Sequence, residues 1–300
     1  MKFNQAEINK LSAMANAVRF LSVDAVERAK SGHPGMPMGI ADVVTTLFAY
    51  HIKFDPQNPN WENRDRFILS AGHGSMLIYS LLYLLGYSGI SLEDIKNFRQ
   101  LGSPTAGHPE YNEIPGIETT TGPLGQGLAN GLGMAISEQL IKERLGKDII
   151  NHYTYVLAGD GCMMEGISHE FASLAGHLAL ANLIVLYDDN KISIDGPTSL
   201  TMSDDTLGRY YSLGWDVTEI DGYNFDEINL AIINAKKTKK PSLIACKTLI
   251  GYGSPAKEGT SGSHGSPLGK DEVQKSKTNL NWNFEAFELP KKVKEDWREL

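Results

Sequence analysis

Between residues 153 and 246 short apolar runs alternate with amphipathic stretches, and this alternation restricts the fold more than any other feature of the chain. Tyr153–Ala158, Leu183–Tyr187, Trp215–Ile220 and Ser242–Cys246 each have the length and apolar content of a strand. Ile167–Leu180 and Phe225–Lys236, which lie between them, carry helical spacing. Strands joined by helical crossovers predict an α/β fold, with a parallel sheet flanked by helices. Ligands of such sheets collect beyond the carboxyl ends of the strands. Two polar corners, Gly159-Asp160-Gly161 and Asp188-Asp189-Asn190, follow strands and so fall on that edge.

The region before the first of these strands reads as helical. Apolar residues recur at Ile8, Leu11, Met14, Ala15, Val18, Leu21 and Ala25, predicting a helix over Glu7–Ala29. It stops at Lys30-Ser31-Gly32-His33-Pro34-Gly35, where glycine and proline punctuate the chain. Further helices are expected at Ile40–His51, Ser75–Leu85 and Leu128–Leu145, with a Gly/Pro-rich passage over 102–127. Residues 251–283 are rich in Gly, Ser, Lys and Asn and predict a long loop, while Leu289–Leu300 reads as helical beyond Pro290. No repeat or internal boundary is visible. The expectation is one domain over 1–300, with 251–300 a loop-rich C-terminal extension.

Composition removes several function classes. The formal net charge is −8, from 36 acidic and 28 basic residues, which leaves no electrostatic footprint for nucleic acid. An anionic ligand must then be held by local groups such as backbone N–H, histidine or a metal. Two cysteines, Cys162 and Cys246, make neither a disulfide framework nor a Cys-rich zinc site, which suits a reducing compartment. The amino terminus has no apolar leader, and the longest apolar stretch, Met76–Leu85, is far short of the roughly twenty residues of a membrane span. A cytoplasmic protein with no membrane partner is expected.

The first chemical signal is Asp160 followed, one strand-helix-strand crossover later, by Asn190. A carboxylate, an amide oxygen and a loop carbonyl form an all-oxygen set suited to Mg²⁺ or Ca²⁺ rather than zinc. Glycines beside Asp160 allow backbone to approach a phosphate. The same spacing also suits an ordinary Gly-Asp-Gly turn and an Asn helix cap. The second signal is histidine in Gly- or Pro-marked corners: His33, His73, His108 and His264, four of the eight in the chain. Loop imidazoles donate to phosphates and hydroxyls and titrate near neutrality. A lone loop histidine is more often structural, but four in one setting point to a polar cleft. His51, His152, His169 and His177 lack that setting. The third signal is Gly122-Pro123-Leu124-Gly125-Gln126-Gly127 opening a helix, where backbone donors face outward. It is neither a dinucleotide fingerprint nor a P-loop. Cys162, after the Gly-Asp-Gly turn, reads as a buried packing residue. No serine-nucleophile elbow, His-Glu-x-x-His or Cys-x-x-Cys is present.

These pieces occur in a familiar order. Ser31–Gly35, Ser70-Ala71-Gly72-His73-Gly74, Gly107-His108-Pro109-Glu110, Gly122–Gly127, Gly159–Gly161, Asp189-Asn190-Lys191-Ile192 and Gly262-Ser263-His264-Gly265 together make the chain resemble the transketolases. The likeness covers roughly residues 5–290. It implies the diphosphate-binding domain of the thiamine diphosphate-binding fold, and a part in two-carbon ketol transfer from a ketose phosphate to an aldose phosphate in the pentose phosphate pathway. By that resemblance Asp160, Asn190 and the Ile192 carbonyl ligate Mg²⁺ or Ca²⁺, and His73, Gly161 and His264 line the diphosphate. Gly122, Leu124 and Ile194 contact the cofactor rings, His33 and His108 face the sugar, and His33, His108 and His264 serve the chemistry. Glu165 and Glu170 match acidic residues of a dimer interface.

The family's pattern also contains parts that this sequence does not match. Complete transketolases continue into a second thiamine-binding domain, with a cofactor-activating glutamate, and into a third domain. No acidic residue here matches that glutamate, and the basic residues that grip the far phosphate of the sugar are missing. The expectation is a chain inactive alone, completed by a second chain carrying the pyrimidine-binding and C-terminal domains, in a homodimer or heterotetramer. A shortened gene product and an excised domain remain open alternatives to a split enzyme. Open alternatives in function are a non-catalytic thiamine diphosphate-binding module and another sugar-handling enzyme such as dihydroxyacetone synthase.

Overall fold

The computed structural model describes residues 2–300. Helix α1 (Gln5–Ala29) starts at a capping box: Asn4 Oδ1 accepts from the Ala6 and Glu7 N–H groups at 2.9 and 3.0 Å, and Glu7 Oε2 accepts from Asn4 N–H at 2.8 Å. It ends at Lys30 in the left-handed region, φ 54°. After α2 (Gly35–Tyr50) come strand β1 (Arg66–Leu69), α3 (Met76–Leu85), α4 (Leu92–Lys96) and α5 (Gln126–Leu145). The second half runs β2 (Thr154–Gly159), α6 (Asp160–Met164), α7 (Gly166–His177), β3 (Leu183–Asp189), α8 (Thr206–Ser212), β4 (Asp216–Asp221), α9 (Phe225–Ala235) and β5 (Ser242–Lys247). Helices α10 (Lys270–Asn279) and α11 (Lys291–Arg298) complete the described chain.

The five strands form one sheet in the order β1-β2-β3-β5-β4, every pair parallel. One cross-sheet row, Ile68–Val156–Val185–Leu243–Val217, shows the register, and its first four members are buried. A sheet so deeply covered is what parallel topology requires, because its helices must clothe both faces. The α/β expectation is met. One apolar cluster extends from Phe3 to Trp297 and includes β2, β3 and β5.

Two local expectations change and one holds. Strand β1 was not foreseen: it is four residues long and follows a polar stretch, too short for a period to show. The loop expected over 251–283 contains α10, whose buried positions include Glu272, Ser276 and Lys277. An apolar period cannot reveal a helix that buries polar residues. Glu272 Oε1 accepts from Ser254 Oγ at 2.6 Å and from Ala256 N–H at 2.7 Å, and Lys277 pairs with Asp24 at 3.1 Å. The helix beyond Pro290 is present as α11, docked on α1 through Trp297, whose Nε1 donates to the Met14 carbonyl at 3.2 Å.

For the site, the important consequence is the common direction of the strands. Gly159 lies opposite Asp188, and Asp189 opposite Lys247, so the exits of β2, β3 and β5 stand in line on one edge.

Candidate functional site

A cleft of about 510 Å³ opens on that edge. Its lining includes His33, His73, Gly122, Leu124, Asp160, Gly161, Asn190, Ile192, Ile194 and His264, ten of the residues singled out in the sequence. His108 does not line it. Its exposed ring stands behind Gly122, where an added Cβ would meet the imidazole at 3.3 Å. Glu165 touches the cleft rim, and Glu165 and Glu170 are both solvent-exposed.

At the floor, Asp160 caps the end of β2 and is 3% exposed. Its Oδ1 accepts from the Tyr187 hydroxyl at 2.6 Å and its Oδ2 from Lys191 N–H at 3.0 Å. The second bond requires Lys191 to turn into the left-handed region, φ 62°. Asn190 is fixed by its neighbours: Oδ1 accepts from Ile192 N–H at 3.0 Å, and Nδ2 donates to Asp188 Oδ2 at 2.9 Å. The 191–198 loop closes on itself through Thr198 N–H to the Lys191 carbonyl at 2.9 Å and Ser193 N–H to the Gly196 carbonyl at 2.8 Å.

Three buried carboxylates gather here: Asp160, Asp188 and Asp189. The cation paired with them is the exposed Lys191, 2.6 Å from Asp189 Oδ1. Burial pushes Asp160 up to about 6 and Asp188 to about 7, with neighbouring carboxylates adding to the rise. Such a cage is under-supplied with positive charge. A hard divalent cation on the Asp160 and Asn190 oxygens and the Ile192 carbonyl would correct that, and an oxygen-only donor set suits Mg²⁺ or Ca²⁺. The donor set thus fits such an ion by its chemistry, and the three residues line one cleft. Among the described residues no group of three or more His, Cys, Asp or Glu is arranged to hold a metal, so a zinc-type site has no counterpart.

Across the cleft stand three imidazoles. The rings of His73 and His264 stack at 5.1 Å, and His33 meets them edge-on at 5.1 and 5.7 Å. Burial, then mutual repulsion with His264 and further cations, holds His33 at about 4; the same causes bring His73 to about 3. Burial also lowers His264 and His108. The trio is thus neutral near pH 7, a wall of hydrogen-bonding groups without fixed charge. His264 Nδ1 is buried with no hydrogen-bond partner.

Apolar residues complete the walls. A Cβ on Gly161 would sit 2.8 Å from Leu124 Cδ1, so glycine here lets Leu124 lie flat against the α6 backbone. Gly125, φ 80°, has Glu165, Ile167 and Ser168 within 3.0 Å of where a Cβ would stand, and only glycine allows α5 to begin there. Ile194 is 64% exposed at the rim. Cys162 is buried and its thiol pushed up by burial, which marks it as a packing residue. Asp188, Tyr187 and Thr248, whose hydroxyl bonds Asp188, were not anticipated. The polar run Asp188-Asp189-Asn190 carried a signal for the first, whereas Thr248 joins only through the fold.

Known proteins agree with this geometry. The family model described as "Transketolase, thiamine diphosphate binding domain" matches residues 10–300. Over 289 residues, 95% of the chain, it is 56% identical to the transketolase of Buchnera aphidicola subsp. Schizaphis graminum, and spans 43% of that protein. Transketolase 1 of Aliivibrio fischeri is likewise 56% identical over 288 residues, with 43% of its length covered. The Campylobacter jejuni transketolase structure superposes with a TM-score of 0.94 at 46% identity, covering 97% of this chain and 46% of that one. A Pichia stipitis transketolase bound to sedoheptulose 7-phosphate gives 0.94 at 47% identity, covering 97% of this chain and 44% of that one. The chain therefore spans less than half the length of the relatives it matches. Matched over nearly its whole length, it belongs to the transketolase thiamine diphosphate-binding domain family.

Proposed function

We propose that this chain is the diphosphate- and metal-binding part of a transketolase, which moves a two-carbon ketol unit from a ketose phosphate to an aldose phosphate. The observation that carries the reading is the buried Asp160 carboxylate beside the half-buried Asn190 amide, facing three neutral imidazoles across one cleft. Asp160, Asn190 and the Ile192 carbonyl would hold Mg²⁺ or Ca²⁺. His73, His264 and the Gly161 backbone would take the diphosphate, with Gly122, Leu124 and Ile194 against the rings. When bound, thiamine diphosphate supplies the carbanion-stabilising chemistry, acting as the electron sink.

The chain's own residues bind, orient and move protons. Neutral imidazoles can each donate one proton and accept another, so His33, His108 and His264 suit the hydroxyls of a sugar. Charged rings would instead compete with the divalent cation for the diphosphate. Leu124 and Ile194 exclude water from the face on which the rings would lie, and the fixed Asn190 turn spares the site reorganisation on binding. Sugar phosphates are the substrate class, as in the Pichia stipitis complex with sedoheptulose 7-phosphate. The remaining domains come from a second polypeptide segment or chain, and Glu165 and Glu170 lie on a surface available to a dimer partner. A cytoplasmic location suits the absence of any described helix long and apolar enough to cross a membrane.

Ketol transfer measured with thiamine diphosphate and Mg²⁺ tests the reading. The 300-residue chain should be inactive alone and active when the pyrimidine-binding and C-terminal domains are added. Turnover by the lone chain would contradict the division of labour. No turnover after full complementation would favour a module that binds without catalysis.

A further inference from the structure

Arg99 matches none of the sequence motifs, yet its guanidinium lies beneath the loops that carry His33 and His108. It follows Phe98, which is 1% exposed, and adopts φ 60° where its neighbours do not. That left-handed turn, held by Arg99 N–H to the Thr105 carbonyl at 2.9 Å, sends the side chain inward. Gly107 admits it: a Cβ there would stand 3.1 Å from Arg99 Nε. One Nη donates to Ser31 Oγ at 2.8 Å, and the other reaches His33 Nδ1 at 3.4 Å.

A guanidinium has donors and no acceptor. A ring nitrogen that bonds to it must offer a lone pair, so the proton of neutral His33 belongs on Nε2. That edge is open. It lies over Gly265, where an added Cβ would stand 3.2 Å from Nε2 and from Cδ2, and His33 lines the cleft. Every ionisable group shown to act on the ring, namely His73, His264, His108 and Arg99, is basic, so none of them favours the imidazolium.

We propose that Arg99 is a positioning residue, which fixes His33 in the Nε2-protonated tautomer so that it meets a ligand as a hydrogen-bond donor. The role in sugar binding rests on the transketolase reading; the tautomer does not. Lysine would keep the charge but cannot span Ser31 and His33 with one planar fork.

The test is ¹⁵N-histidine NMR of the chain, with His33 assigned by the resonances lost in His33→Gln. The wild-type ring should show a protonated Nε2 and an unprotonated Nδ1 at pH 7. Arg99→Met should give a mixture of tautomers and raise the titration midpoint of His33 by roughly half a unit. Gly265→Ala should crowd the Nε2 edge and leave the tautomer unchanged. A wild-type ring protonated on Nδ1 overturns the proposal without recourse to any variant, and so does an Arg99→Met spectrum identical to wild type. In the complete enzyme, Arg99→Met should raise KM for the sugar several-fold and leave thiamine diphosphate affinity unchanged. If the complete wild-type enzyme bound no thiamine diphosphate while His33 kept the Nε2 proton, the functional reading would fail and the tautomer assignment would stand.

Discussion

A Cβ placed on Gly161 would stand 2.8 Å from Leu124 Cδ1, so one methyl group there pushes Leu124 toward the space the cofactor rings would occupy. Gly161→Ala should leave the fold intact, since the contact is with the end of a flexible side chain. Cofactor affinity in the complete enzyme should fall roughly tenfold to a hundredfold, the range for one misplaced methylene-sized group. Calorimetric affinity equal to wild type would remove Gly161 from the site. A second residue-scale expectation concerns His152, far from the cleft. Burial and then the charges of Arg66, Lys53, Arg64 and Lys142 hold it at about 4, against an ordinary 6.5. The folded value lies below the unfolded one, so between these limits the unfolded chain binds the extra proton. Its contribution to stability is complete above pH 6.5 and is lost as the pH falls toward 4. His152→Gln should recover on the order of 1–2 kcal/mol of that acid loss. Parallel denaturation curves for both proteins across this window would show His152 to be silent.

Among the elements, the ones with a clear apolar period were legible and the ones held by polar contacts were not. Helix α1 and strands β2 and β3 lie within a few residues of their expected limits, because each buries an uninterrupted or periodic apolar set. Helix α10 was hidden, because Glu272, Ser276 and Lys277 face inward and only Val273 gives an apolar signal. The cleft shows the same division. Asp160, Asn190 and the histidines stood out by their glycine-marked corners. Arg99 and Thr248 occupy unmarked positions and become visible only when distant segments meet. The docking of α10 on α1 rests on Asp24 and Lys277, each 4% exposed, with Asp24 also accepting from Phe287 N–H at 3.0 Å. Asp24→Ala leaves a buried ammonium without its partner and should cost about 3–5 kcal/mol. The double change Asp24→Leu with Lys277→Met should cost distinctly less, because no charge is then stranded. Urea denaturation of wild type, Asp24→Ala and the double variant measures this; a double variant as unstable as Asp24→Ala would show that no charge was stranded by the single change.

At the scale of the whole molecule, parallel strands deliver their carboxyl ends to one edge, and there the chain collects a carboxylate cage and three neutral imidazoles. One wall of a binding site is well formed while the chain spans under half of its relatives' length. The lone chain should accordingly bind thiamine diphosphate weakly, and tight calorimetric binding to it would mean that the cleft needs no second wall. The central claim is that Asp160 and Asn190 hold the divalent cation through which the diphosphate is gripped. Its most direct test is calorimetric titration of thiamine diphosphate into the complete enzyme, with and without Mg²⁺, in wild type and in Asp160→Ala. The account predicts Mg²⁺-dependent binding in wild type and none in the variant. Equal affinity in the two proteins, each still responding to Mg²⁺, would contradict it.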